Sequence, residues 1–173
     1  MPIGNKNKEV AKVRMVDKFS RKFFMVLWSL VFVFVFAGVV VAGPNDPDAP
    51  TELKDGKIIS ADEAKGLIGK KWASVFDMRT PMNYGKGHIP SSVSIPYKGK
   101  SRNTPNFNLS EDQVDFSKFP RDKNARIIIY SDGPKGWKSY KMAVAAIKEG
   151  YKDIMWLREG FSVWEKKNYP IEK

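Results

Sequence analysis

Between Phe23 and Gly43 the chain runs for 21 residues without a charge, FFMVLWSLVFVFVFAGVVVAG. At about 1.5 Å per residue, a helix of that length matches the roughly 30 Å hydrocarbon core of a bilayer. After it the pattern changes. Residues 44–56 hold three prolines and read as a linker. Beyond them short apolar runs alternate with amphipathic stretches. Lys57–Ser60 predicts a strand, and Ser60 with Glu63 forms a capping box that opens a helix to about Ile68, ended by Gly69. Trp72–Met78 and Ser92–Ile95 predict further strands. Arg126–Tyr130 (RIIIY) holds a continuous β-branched run of three isoleucines, the mark of a central strand buried on both faces. Ser139–Glu149 predicts a helix with small residues on one face, stopped by Gly150. Asp153–Leu157 predicts a fifth strand and Gly160–Lys167 a last amphipathic helix. Residues 98–125 are polar and irregular, with a short helix expected near Glu111–Phe119. Strand–helix alternation of this kind implies an α/β fold with a mainly parallel sheet. Ligands of such folds sit at the carboxyl ends of the strands, which directs attention to the turns after Asp77 and after Tyr130.

Charge adds a topology. Residues 1–22 carry seven basic side chains against two acidic ones, while the stretch after the apolar run is acidic, with Asp46, Asp48, Glu52 and Asp55 against Lys54. A basic flank stays in the cytoplasm. The expected organisation is a cytoplasmic flank (1–22), a membrane segment (23–43), a linker (44–56) and a folded domain (57–173). The segment has two readings, a retained transmembrane anchor or a signal peptide cut after Ala42 or Gly43. The first places the domain on the bacterial inner membrane facing the periplasm; the second releases it into the periplasm.

Composition removes several chemistries. The chain has no cysteine and one histidine, so disulfides, thiolate nucleophiles, cysteine zinc sites and iron–sulfur clusters are excluded. No metal and no cofactor are expected. The net charge of +11 invites a nucleic-acid reading. Much of the excess, however, precedes the apolar run, and the rest shows no aromatic–basic platform, so nucleic acid is not an expected partner.

Residues 75–97, VFDMRTPMNYGKGHIPSSVSIPY, combine an apolar strand, Asp77 and Arg79, Tyr84, a Gly87-His88-Ile89-Pro90 run and Ile95-Pro96. Residues 126–131, RIIIYS, and the closing stretch with Gly150-Tyr151, Leu157, Gly160 and Trp164 follow in order. This pattern resembles the rhodanese-like domains over about residues 55–172. The resemblance implies a three-layer fold, a mainly parallel five-stranded sheet flanked by helices. It also implies sulfur transfer through a loop cysteine whose pKa is depressed by converging loop amides and a helix N-terminus. Asp77, Arg79 and His88 are the structural signature that it implies.

The chain departs from the pattern where the chemistry resides. Ser131 stands at the nucleophile position, and oxygen forms no persulfide equivalent. A serine nucleophile needs a general base, and His88 is the sole histidine, in a motif where it is structural. No catalytic residue is therefore expected. The loop, SDGPKGWKS, holds Ser131, Asp132, Gly133, Lys135, Gly136, Trp137, Lys138 and Ser139. Some exported relatives carry a second cysteine just before the tryptophan, where this chain has Gly136. What remains is expected to be an anion-friendly cradle, with Trp137 exposed and Trp72, Trp156 and Trp164 in core or half-buried positions. The expected partners are the membrane and, at the loop, a thiosulfate-like anion or a protein. Two functions compete: a non-catalytic anion- or protein-binding module, and a thiosulfate sulfurtransferase-type or sulfur-trafficking protein acting with a partner that supplies the cysteine.

Overall fold

The computed structural model describes residues 47–173. The flank 1–22 and the apolar run 23–43 lie outside the described residues. Among the described residues no helix is long and apolar enough to cross a membrane.

Five strands form one parallel sheet: β1 (Lys57–Ile58), β2 (Ser74–Asp77), β3 (Ser92–Ser94), β4 (Arg126–Tyr130) and β5 (Asp153–Leu157), in the order β1-β5-β4-β2-β3. Four helices accompany them: α1 (Ala61–Gly69), α2 (Pro81–Lys86), α3 (Trp137–Lys148) and α4 (Gly160–Lys166). The chain steps outward from β2 to β3 on one side and from β4 to β5 on the other. The order therefore reverses between β2 and β4, and the crevice at their carboxyl ends is where α/β sheets hold ligands.

The strand pleat divides the core in two. Ile127 and Ile129 of β4 join α3 residues such as Met142, Ala143 and Ala146 in one apolar cluster, with Phe76 and Trp156. Ile128 and Tyr130, one residue out of phase, join Ala61, Ala64, Phe161 and Trp164 of α1 and α4 in the other. This makes three layers, and it explains why β4 has no polar alternation. The capping box at α1 is formed: the Ser60 hydroxyl accepts from the Glu63 amide and the Glu63 carboxylate accepts from the Ser60 amide.

Four features depart from the sequence-based expectations. Residues 47–56 are not a free linker. Ala49 and Leu53 are buried in the α3-side cluster, and Arg158 donates to the carbonyl oxygens of Ala49 and Pro50, both at 2.8 Å. Helix α2 was not foreseen, since its six residues carry no apolar period; Thr80 caps it and Pro81 sits in its first turn. No helix forms over Glu111–Phe119, where there is one 3-10 turn at Leu109–Glu111. There the Gln113 amide bonds the Lys98 carbonyl oxygen instead, and Phe116 and Phe119 turn inward onto Tyr151. Trp72 precedes β2 and is 58% exposed, its ring under the Lys70 ammonium, because the chain leaves α1 through a left-handed turn at Lys71.

Candidate functional site

Ser131 follows β4 directly and is 1% exposed. Its hydroxyl has two partners, the Gly136 carbonyl oxygen at 3.2 Å and the Ser139 hydroxyl at 2.8 Å. Ser139 in turn meets the Gly136 carbonyl oxygen at 2.9 Å and accepts from the Trp156 indole N–H at 3.0 Å. One consistent proton arrangement runs Trp156 to Ser139, Ser131 to Ser139, and Ser139 to the Gly136 carbonyl. Every hydroxyl is satisfied and no base is included. Sequence reasoning placed the helix start at Ser139. The helix instead begins at Trp137, and Ser139 lies within its first turn, bonding back three residues.

The loop is closed on itself. The Gly136 amide donates to the Gly133 carbonyl oxygen at 2.7 Å and the Trp137 amide to that of Lys135 at 3.0 Å. These two amides are engaged within the loop, and the carbonyl oxygen of Gly136 is what meets Ser131. A Cβ at Gly136 would overlap the Ser131 hydroxyl oxygen and lie 2.6 Å from the Gly133 carbonyl oxygen. A second cysteine at 136 does not fit this loop. From below, α4 fixes the loop: the Phe161 and Ser162 amides donate to the Ser131 and Asp132 carbonyl oxygens at 2.9 Å. Gly160, at φ +61°, lets the two backbones approach this closely.

His88 is turned elsewhere. Its ring stacks on Tyr84 with centroids 3.8 Å apart, Nδ1 meets the Tyr84 carbonyl oxygen, and Nε2 lies 3.7 Å from Glu172. Its backbone pairs with Glu172, so it ties down the C-terminal end of the chain. Asp77 and Arg79 form a buried ion pair at 2.7 Å, and Arg79 also donates to the Gly87 carbonyl oxygen. Burial works against the Arg79 charge, but the hydrogen bonds and charge of Asp77 more than offset it, so its pKa is raised. The guanidinium lies 4.0 Å from the Phe161 ring centroid, under the loop-supporting helix. Tyr130, at the end of β4, is pushed upward in pKa by burial and by the nearby Asp77 carboxylate. Its hydroxyl accepts from the Ile89 amide and bonds Ser92.

Beside the loop opens a pocket of about 550 Å³. Arg102, Lys135, Lys138 and Lys141 line it, against a single carboxylate, Asp132. Among the described residues none of the four cations belongs to an ion pair. Tyr97, Trp137 and Pro47 supply its apolar wall. Trp137 was expected to be exposed. It is only 5% exposed, because its indole donates to the Pro47 carbonyl oxygen at 2.7 Å and its ring packs edge-on to Tyr140. The Ala49 amide donates to the Pro134 carbonyl oxygen at 2.9 Å, so the N-terminal strap is stitched to the loop at two points.

Lys141, which lines the pocket, and Asp112, which binds the Lys100 and Ser101 amides beside it, are residues that the sequence did not single out. Lys141 is 3% exposed and donates to the Ser101 carbonyl oxygen at 2.8 Å. Burial lowers its pKa, although Asp112 and Glu111 oppose the shift. Asp112 accepts from the Tyr97 hydroxyl, the Lys100 and Ser101 amides and the Ser101 hydroxyl, all within 2.7 Å. Burial alone would raise its pKa, but the bonds from Ser101, Tyr97 and Lys100 hold it below the ordinary value. A lysine among the apolar residues of a predicted helix was the one available signal. Among the described residues no group of histidine, aspartate or glutamate is arranged to hold a metal ion.

A parallel sheet that delivers a tight loop from its central strand into the start of a helix defines an α/β domain with its site on that loop. A family model described as the rhodanese-like domain matches residues 60–167, and the chain belongs to that family. It is 29% identical over 116 residues to the uncharacterized protein YibN of Escherichia coli K12, covering 66% of this chain and 71% of that one. Among solved structures it is similar to the BH2092 protein from Bacillus halodurans, at 24% identity and a TM-score of 0.53, over 67% of this chain and 76% of that one. It is also similar to the Alr3790 protein from Anabaena sp., at 19% identity and a TM-score of 0.50, over 66% and 79% of the two chains. These two likenesses are of fold.

Proposed function

We propose that this rhodanese-like chain is a non-catalytic module that binds an anion in the cation-lined pocket beside its loop. The observation that carries it is the state of Ser131. Its hydroxyl is buried, faces the Gly136 carbonyl oxygen and has no base among its partners. Removing a proton there would set an alkoxide against the negative end of a peptide dipole, so nucleophilic chemistry is disfavoured. Beside it, four cations without ion-pair partners among the described residues surround one carboxylate, which favours a negatively charged guest.

The apolar run 23–43 and the basic flank before it support a membrane-bound or exported location, with the domain on the far side from the flank. The test uses the full chain in detergent micelles. Thiosulfate:cyanide sulfurtransferase activity should stay at the buffer rate, while thiosulfate or sulfate should raise the melting temperature in a saturable way. Turnover well above buffer by this chain alone would overturn the non-catalytic reading, and no anion-dependent shift would remove the pocket reading.

A further inference from the structure

The pocket contains a charge that, among the described residues, belongs to no ion pair. Lys141 lies in the second turn of α3, 3% exposed and lining the pocket. Among the described residues its ammonium makes one hydrogen bond, to the Ser101 carbonyl oxygen, and belongs to no ion pair. An ammonium has three donors, so two are left for a guest. Asp112, a nearby carboxylate, is already engaged by Tyr97, Lys100 and Ser101. The Phe107 ring, 5.5 Å from Nζ, offers a weak partner only. A buried ammonium so placed is unfavourable unless something anionic completes it.

The size of the space narrows the guest. About 550 Å³ falls in the range that organic ligands occupy and exceeds the needs of one inorganic oxoanion. Its walls are of two kinds: the cations, and the apolar surfaces of Tyr97, Trp137 and Pro47.

We propose that Lys141 is the inner contact for an organic oxoanion, such as a phosphate monoester or an organic sulfonate. Its charged end meets Lys141 and its body lies against Tyr97 and Trp137. The proposal rests on the anion-binding reading of the pocket and gives its ligand class and inner anchor.

The test is calorimetric titration of the full chain, in detergent micelles, with phenyl phosphate and with inorganic phosphate. Phenyl phosphate should bind at least tenfold more tightly. Lys141→Met should weaken phenyl phosphate at least tenfold and also raise the melting temperature of the ligand-free protein, because the uncompensated charge is gone and the volume is kept. Lys141→Gln, which keeps a donor toward Ser101, gives the same binding test should the methionine variant fail to fold. If native protein binds neither probe while thiosulfate or sulfate still raises its melting temperature, the anion-binding reading stands and this proposal is overturned; if none of the four anions acts, the reading itself falls. If phenyl phosphate binds native and variant equally, that reading stands and the role of Lys141 is overturned. A lower melting temperature with unchanged binding makes Lys141 a structural residue and overturns the proposal. Equal affinity for both probes overturns the organic class.

Discussion

The Ser131 hydroxyl oxygen lies 3.2 Å from the carbonyl oxygen of Gly136. In a loop built to carry a nucleophile that position would be served by amide N–H groups. Here the peptide is presented from its negative end. The position therefore favours a group that keeps its proton.

That relationship makes a test in a chain with no cysteine of its own. Ser131→Cys introduces a single thiol facing the Gly136 carbonyl and buried with the loop. Its pKa should lie above the roughly 8.5 of a free cysteine, not below it. Thiolate absorbance against pH and the rate of alkylation by iodoacetamide check this. Restored sulfurtransferase turnover in this variant would show that the loop reopens easily.

Gly136 and Ser131 should be energetically coupled. Gly136→Ala drives a methyl group into the Ser131 hydroxyl and toward the Gly133 carbonyl. Overpacking of this kind costs about 1–3 kcal/mol. Adding Ser131→Ala removes one of the two clashes, so the double variant should recover part of the loss. Urea denaturation of the two singles and the double, read as a cycle, measures the coupling.

Asp112 should give stability a specific pH dependence. Its folded pKa is depressed, so its contribution is fully present above the unfolded value of about 3.9 and is lost as pH falls through the folded value. Asp112→Asn should cost roughly 1–3 kcal/mol at pH 7, since several hydrogen bonds lose a charged acceptor. The gap between native and variant should shrink below about pH 4, where the native carboxylate is being protonated. Denaturation curves collected from pH 7 down to pH 2 test the sign.

Arg158 should hold the N-terminal strap. It donates to the carbonyl oxygens of Ala49 and Pro50. Arg158→Met keeps much of the stem packing and removes both bonds, at about 1–3 kcal/mol. Amide hydrogen exchange over residues 47–54 should accelerate, while β4 and β5 stay protected. Equal acceleration throughout would show that Arg158 supports the whole domain instead.

Local patterns were enough to read the sheet. The RIIIY run, the Ser60–Glu63 capping box and the position of Ser131 after β4 all depend on neighbouring residues. The features that escaped depend on distant ones. Lys141 meets Ser101 across 40 positions, and Trp137 meets Pro47 across 90. Proline-rich residues 47–56 look like linker because the groups that bury them lie near residues 134, 137 and 158. Ser139 looks like a helix cap because serine usually caps, but here its hydroxyl completes the network around Ser131. The orientation of the Gly136 peptide, which sets the chemistry of the loop, has no signature in residue identity.

The strap has a mechanical consequence. A pull applied to the chain at Pro47 is resisted first by the bond to Trp137, then by the bond from Ala49 to Pro134 and by the grip of Arg158. Two of these three attachments are on the loop that walls the pocket. Tension entering from the N-terminal side is therefore delivered to the rim of the binding space before it reaches the sheet. The wall of the binding space is thus part of the path by which the domain bears that load.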